Sequence, residues 1–401
     1  MKGMSANALE SWALNQVSII KKDQELDITS LVQTLIVEED IEKGLISGSL
    51  AFVDTMNLME TLGMTGDEML YVSFNSYTST LTEKDPYTKT FQISSYVEMT
   101  EPNLGTKRAI ELRFNTPAEI YNELCNVSKS YVNTSNSQVV KDMLTILKID
   151  QPDIEETLFM KDLIIPNITP IEVIVWMSRY AMSKENGDSN FYFFENRDGV
   201  HFKSGQKLIS QDPFEIVVEG TNPTDMKMYK KASNYQKAKG YDILHQHRTG
   251  ASGLNIMMRD GLRKGYQVET VSFDSVKEKF PLINQVKAVE TPEAVENARQ
   301  DFISVEQMYQ FNGKSSYGNM TANRIINRSS MTTKRSFLET PGDSDMSAGM
   351  MVDLKILDMK GMSSKRDSGK WLITKCRHII NTNAGHYRQE LDLVSDSNIG
   401  E

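Results

Sequence analysis

Two pairs of residues in this chain have spacing that could support chemistry. His245 and His247 form a His-x-His pair, and Cys376 and His378 form a Cys-x-His pair with His386 eight residues further on. On a strand, residues two apart point to the same face, so either pair could present two ligands to one metal ion. The Cys-His pair could equally be a nucleophile and its base. Neither pair has a Cys, Asp or Glu nearby in sequence to complete a ligand set, and nothing local supplies an orienting acid or an oxyanion hole. Solvent-facing, interface or core-satisfied side chains account for both pairs. Glu38, Glu39 and Asp40 form an acidic run, read as a solvated or lumen-facing acidic face, because adjacent carboxylates rarely make a hydrolytic acid–base pair. The stretch TGASGLN is glycine-rich but has neither the phosphate-loop lysine nor dinucleotide spacing, and Gly-x-Ser-x-Gly, His-Glu-x-x-His and calcium-loop patterns do not occur. The sequence therefore predicts no catalytic residue, cofactor site or metal site.

Bulk properties narrow the class. The chain has 401 residues, 39% hydrophobic and 24% charged, with a formal net charge of −10. That length suggests two to four domains. An acidic chain is poorly suited to wrapping nucleic acid, which needs Lys and Arg against phosphates. Two cysteines make no disulfide framework and fit a reducing compartment. Neither a signal peptide, a run of about 18 apolar residues nor a repeat period is evident.

The elements that must position these residues fall in blocks. The first is β: Leu50 and Phe52 (with Ile46), then Leu70, Val72 and Phe74, then Phe91 and Ile93, then Ile110, Leu112 and Phe114 alternate inward, with Gly44 and Gly48 allowing a bend or bulge. At Thr116 the pattern changes. Thr116, Pro117 and Glu119 read as a capped helix start, continuing through Ile120, Leu124, Val127 and Tyr131. A second helix carries Val140, Met143, Leu144 and Leu147, with Cys125 a small core residue before it. Thr169, Pro170 and Glu172 repeat the helix start. NFYFFENRDGVHFKSG then reads as a hairpin with Phe191, Tyr192, Phe193 and Phe194 in a buried strand. PFEIVVEG resumes β structure. Residues 230–250, with the His-x-His pair, read as strands and a turn, and 251–290 as loops and weak strands. A helix is expected from Thr291 and Pro292 through Val295, Ala298, Phe302, Val305 and Met308, followed by a polar stretch. A strand with Val352, Leu354 and Ile356 precedes the last hairpin. In that hairpin Trp371 and Ile373 share a face with Lys375 and Arg377, and Leu372 shares the other with Thr374, Cys376 and His378. NTNAG turns the chain, and Tyr387, Gln389, Leu391 and Leu393 alternate on the return.

LISGSLAFVDTMNLMETLGMTGDEMLYVSF resembles a segment of the central baseplate hub of contractile-tail phages. TPIEVIVWMSRYAMSKENGDSNFYFFENRDGVHFKS is similar to the middle domain of those hubs and to the N-terminal half of type VI secretion spike proteins. Gly369, Trp371, Ile373 and His378 fit the family's closing hairpin. The resemblance implies an α+β, mainly β fold, with two small similar β-barrel tube domains, an α/β middle domain and an inserted helical segment. Its expected boundaries are 1–115 for the first barrel, 116–212 for the middle domain, 213–250 with 319–395 for the second barrel, 251–318 for an insertion packing with the middle domain, and 396–401 for a tail. It implies a non-enzymatic homotrimer forming a pseudo-hexameric ring, a symmetry adaptor between a sixfold tail tube and a threefold central spike. Implied partners are a tube or tube-initiator protein, the spike, the tape measure protein and baseplate wedge proteins. DNA would pass through the lumen without specific binding, and the chain would sit in the virion after assembly in the host cytoplasm. The alternatives are a receptor- or carbohydrate-binding tail protein, or a hub-associated cell-wall hydrolase.

Overall fold

The computed structural model describes residues 2–3, 12–22, 24–55, 57–77, 85–99, 108–218, 230–232, 234–239, 242–260, 265–288, 305–310, 316–356 and 362–400. Six long strands build the first unit: β1 (Trp12–Lys21), β2 (Val32–Asp40), β3 (Ser47–Asp54), β4 (Met69–Ser76), β5 (Tyr87–Met99) and β6 (Arg108–Asn115), with the short strands Lys2–Gly3 and Gln24–Asp27 paired to β1. They pair antiparallel in the order β1-β4-β5-β6-β3-β2. The alternation read from the sequence is the packing pattern, since Leu50, Phe52, Leu70, Val72, Phe74, Phe91, Ile110, Leu112 and Phe114 all point into one core. Burying each side chain of that size contributes about 1.5–3 kcal/mol. A register shift after Leu14 in β1 changes the parity, so that Val17 and Ile19 also face inward. Of the two glycines expected to bend the chain, Gly44 does so, at φ +95°. Gly48 instead makes room: a Cβ there would lie 2.3 Å from the Ile36 carbonyl oxygen and 2.4 Å from Phe114 Cζ.

The middle unit holds α1 (Pro117–Leu124), β7 (Val127–Ser135), α2 (Asn136–Ile146), β8 (Met160–Ile168), α3 (Pro170–Arg179) and the hairpin of β9 (Phe191–Asn196) and β10 (Gly199–Ser204). The hairpin is as expected, and Phe191–Phe194 are all buried. Helix α3 carries the full expected capping box, Thr169 Oγ1 accepting from Glu172 N and Glu172 from Thr169 N. The parallel expectation for α1 fails. Thr116 makes no side-chain cap; its hydroxyl donates to Glu195 Oε2 instead. α1 also stops at Leu124, which is exposed, while Val127 and Tyr131 lie on β7. A three- and four-residue spacing that runs on past the helix end mimicked one long stripe.

The rest of the chain contains β11 (Phe214–Val218), β12 (Asn234–Lys239), α4 (Ile243–Thr249), β13 (Gly253–Asp260), β14 (Gly265–Ser272), β15 (Val305–Gln310), α5 (Ser316–Met331), β16 (Lys334–Pro341), β17 (Met351–Ile356), β18 (Gly369–Asn381) and β19 (His386–Ser395). β13 and β14 pair antiparallel in regular register and β15 joins β13 in parallel, where loops and weak strands were expected. The helix expected from 291 to 308 is not helical where it can be seen: Val305 and Met308 lie on β15, and 291–304 fall outside the described residues. The polar stretch after it holds α5 and β16. Helix α5 buries Met320, Thr321, Ala322, Ile326, Asn327 and Ser330, a mixed face that leaves no clean apolar stripe to read. A second set of six strands runs β11-β17-β18-β19-β16-β12, antiparallel except for the β11–β17 pair, with the short strand Lys230–Lys231 added in parallel to β11. Its core gathers Ile216, Leu338, Met351, Val352, Leu354, Trp371, Leu372, Ile373, Leu391 and Leu393. The end of the chain is built in: Ser397–Asn398 pairs with Val286–Lys287. The architecture is α+β, mainly β, as expected.

Candidate functional site

The two sheets are one sheet, joined through β18. Residues Gly369–Leu372 pair with β17, and Lys375–Asn381 pair with β2 of the first unit. The handover falls at Thr374, where the β18–β19 register shifts. A bulge inserts one residue and reverses the inward parity beyond it. This corrects the sequence reading of the strand's faces. Trp371 and Ile373 point into the second core, and after the bulge Cys376, His378 and Ile380 turn inward while Lys375 and Arg377 turn out.

The ladder places Cys376 opposite Glu39 and Arg377 opposite Glu38. The acidic run therefore splits between two faces rather than forming one solvated patch. On the outer face Glu38 accepts from Lys43 (2.6 Å), Lys375 (3.1 Å) and Arg377 (3.2 Å), and Arg377 continues to Glu390 (3.1 Å). Burial pushes the Glu38 carboxyl up, but the hydrogen bonds and charge of Lys43 and Lys375 outweigh it and hold it at about 2.

On the inner face Glu39, Cys376 and His378 are all buried, and one ligating atom from each lies within 4.8 Å of the others. Cys376 Sγ is 3.5 Å from His378 Nε2, and His378 Nδ1 is 2.7 Å from Tyr387 Oη. Glu39 accepts from Tyr87 Oη (3.2 Å) and from the Ala348 backbone N–H (2.9 Å). Phe74 stacks on Tyr87 at 4.8 Å and closes the side of the cluster. Desolvation drives the Glu39 carboxyl up to about 7; the Ala348 N–H, the Lys89 charge and Tyr87 only partly oppose it. Lys89 itself pairs with Glu195 at 2.7 Å, and Glu195 also accepts from the Ile46 N–H at 3.3 Å, tying the first sheet to the middle unit.

The other sequence candidates are elsewhere. His386 pairs with Asn381 beside the turn of the last hairpin and is half-exposed, so it does not join Cys376 and His378. His245 and His247 lie on α4, not on a strand. Positions two apart on a helix are separated by roughly 200°, which removes the shared-face geometry. Cys125 ends α1, half-buried against the middle core. Glu39 is the member that sequence reasoning missed, since it stands 337 positions from Cys376 and only strand pairing brings them together.

No family model matches the chain. A curated relative, the probable baseplate hub protein gp334 of Vibrio phage KVP40, is 22% identical over 414 residues, covering 98% of this chain and 97% of that protein. The fold is that of phage tail hub proteins. Among solved structures, a tail protein from Neisseria meningitidis MC58 matches with a TM-score of 0.60 at 11% identity, over 95% of this chain and 96% of that one. The 43 kDa tail protein of prophage MuSo2 from Shewanella oneidensis gives 0.58 at 8% identity, over 95% and 98%. The Escherichia coli c3393 protein, a type VI secretion component, gives 0.51 at 10% identity, over 96% of this chain and 77% of that one. The resemblance to contractile-tail hubs thus extends from end to end of the chain. These relatives are named for a place in a tail or secretion device, not for a reaction. Among the described residues no helix is long and apolar enough to cross a membrane.

Proposed function

We propose that this protein is the structural, non-enzymatic hub of a contractile-tail baseplate, acting as a homotrimer. The observation that carries the reading is the end-to-end likeness to a hub protein, in a chain that fuses two sheets through one strand. Read as tube domains, two per chain give six in a trimer, so one face offers sixfold repetition and the assembly stays threefold. On this reading the domains are 1–115 for the first tube domain, 116–212 for the middle domain, 213–250 with 319–395 for the second tube domain, 251–318 for the insertion and 396–401 for a tail. The tube or its initiator would contact one side of the ring and the spike the other, with tape measure and DNA in the lumen. A sugar-binding fibre needs exposed aromatic platforms, whereas Phe191–Phe194 are buried. The test is mass by light scattering with negative-stain imaging of the purified full chain. A trimer mass and a hollow ring about as wide as a tail tube support the hub. A monomer that stays a compact globule when spike protein is added overturns it.

A further inference from the structure

The inner side of the β2–β18 ladder has an unusual composition for the meeting point of two apolar cores. A carboxylate, a thiol and an imidazole converge there, each from a position fixed by strand register. Glu39 and Cys376 are directly paired across the ladder, and His378 follows two residues on, on the same face. A buried carboxylate is costly without a cation to balance it. Among the described residues the basic group acting on Glu39 is Lys89, which is already paired with Glu195.

We propose that Glu39, Cys376 and His378 bind one divalent ion of the zinc class, which pins the first sheet to the second. The donor set of one oxygen, one sulfur and one nitrogen suits a tetrahedral borderline-soft ion rather than calcium or magnesium. Ligand atoms around tetrahedral zinc stand about 3.5 Å apart, and Sγ and Nε2 are already 3.5 Å apart. The remaining atom pairs lie within 4.8 Å. The outer contacts are of the kind that orient ligands. His378 Nδ1 lies 2.7 Å from Tyr387 Oη, which holds the ring with Nε2 toward Sγ. Gln389 Nε2 donates to the carbonyls of Asp343 (2.9 Å) and Met346 (3.1 Å) and lies 3.2 Å from the same Nδ1 and 3.4 Å from Cys376 Sγ, packing ring and thiol in place. Tyr87 Oη and the Ala348 N–H fix the Glu39 carboxylate. Thiolate and carboxylate carry two negative charges, which the ion neutralises. Binding exchanges the waters of the hydrated ion for Cys376 Sγ, His378 Nε2 and a Glu39 oxygen, one water staying as the fourth ligand, and releases the Cys376 thiol proton to solvent, with the Glu39 proton where it is present. The ion enters as the last strands close over the site, since all three ligands are buried afterwards.

Elemental analysis of the full chain, purified without a metal-affinity tag from zinc-supplemented medium, tests this. About one zinc per chain is expected, falling at least tenfold in E39Q and in C376S while H386A keeps the full content. Refolding in cobalt provides a second readout: the wild type should show a thiolate-to-cobalt charge-transfer band that C376S lacks. This band decides the matter even if the variants fold poorly. A wild type with less than a tenth of an equivalent, both as purified and after refolding with excess zinc, overturns the proposal. So does full zinc content in C376S.

Discussion

Replacing Glu38 by Gln removes one charge at the point where the two sheets join, and keeps the shape of the side chain. Its carboxyl is held at about 2 against an ordinary 4.5, a gap equivalent to roughly 3 kcal/mol of preference for the charged form in the folded chain. That figure is an upper bound, because Lys43 and Arg377 are 60% and 38% exposed and water screens them. A loss of about 1–2 kcal/mol is therefore expected for E38Q in urea unfolding at neutral pH. Trp12 and Trp371 sit in the first and second cores, so their fluorescence reports both sides of the join. The sign of the pH dependence follows from the lowered value. The stabilisation is complete above pH 4.5 and fades as pH falls toward 2, where the folded carboxylate takes up its proton. The wild-type and E38Q curves should therefore converge on acidification, and high salt should narrow the gap at neutral pH. A loss below about 0.5 kcal/mol that is unchanged by acid would show that the ion pairs do not hold the join, and the reasoning would fail.

Two substitutions probe the packing. Gly48→Ala places a methyl 2.3 Å from a ladder carbonyl that cannot move, and should destabilise the first sheet by about 1–3 kcal/mol, read from Trp12 fluorescence; a neutral outcome would mean that the two strands separate more easily than the register implies. Thr169→Ala should cost about 1 kcal/mol through loss of the α3 capping box, measured by thermal unfolding with circular dichroism, whereas restoring the cap with Thr169→Ser should recover most of it.

Much of the first sheet was legible because its inward positions alternate without a break between turns, as in Leu70, Val72 and Phe74. The α3 start was legible because Thr169 and Glu172 satisfy each other locally. The same signature at Thr116 misled, because a tertiary partner, Glu195, took the hydroxyl. Helix α5 was hidden by its buried polar residues, held by contacts such as Asn327 to Asp188 that no local pattern announces. The faces of β18 were misassigned beyond Thr374 because a bulge leaves no mark in the alternation until the partner strand is known. Glu39 looked solvated because its neighbours Glu38 and Asp40 share its chemistry but not its face.

The strand that joins the sheets also sets an order of events during synthesis. β2 is complete once residue 40 has been made, but its partner β18 ends only at residue 381. At typical rates of translation, about 5–20 residues per second, that edge waits roughly 17–70 s for its neighbour. Throughout that time the nascent first unit exposes a free hydrogen-bonding edge, the kind that pairs with any other extended chain nearby. Neighbouring nascent copies on one message would carry the same edge. Arrival of β18 then ends the exposure, so the last hairpin to be made also protects the first sheet from misassembly.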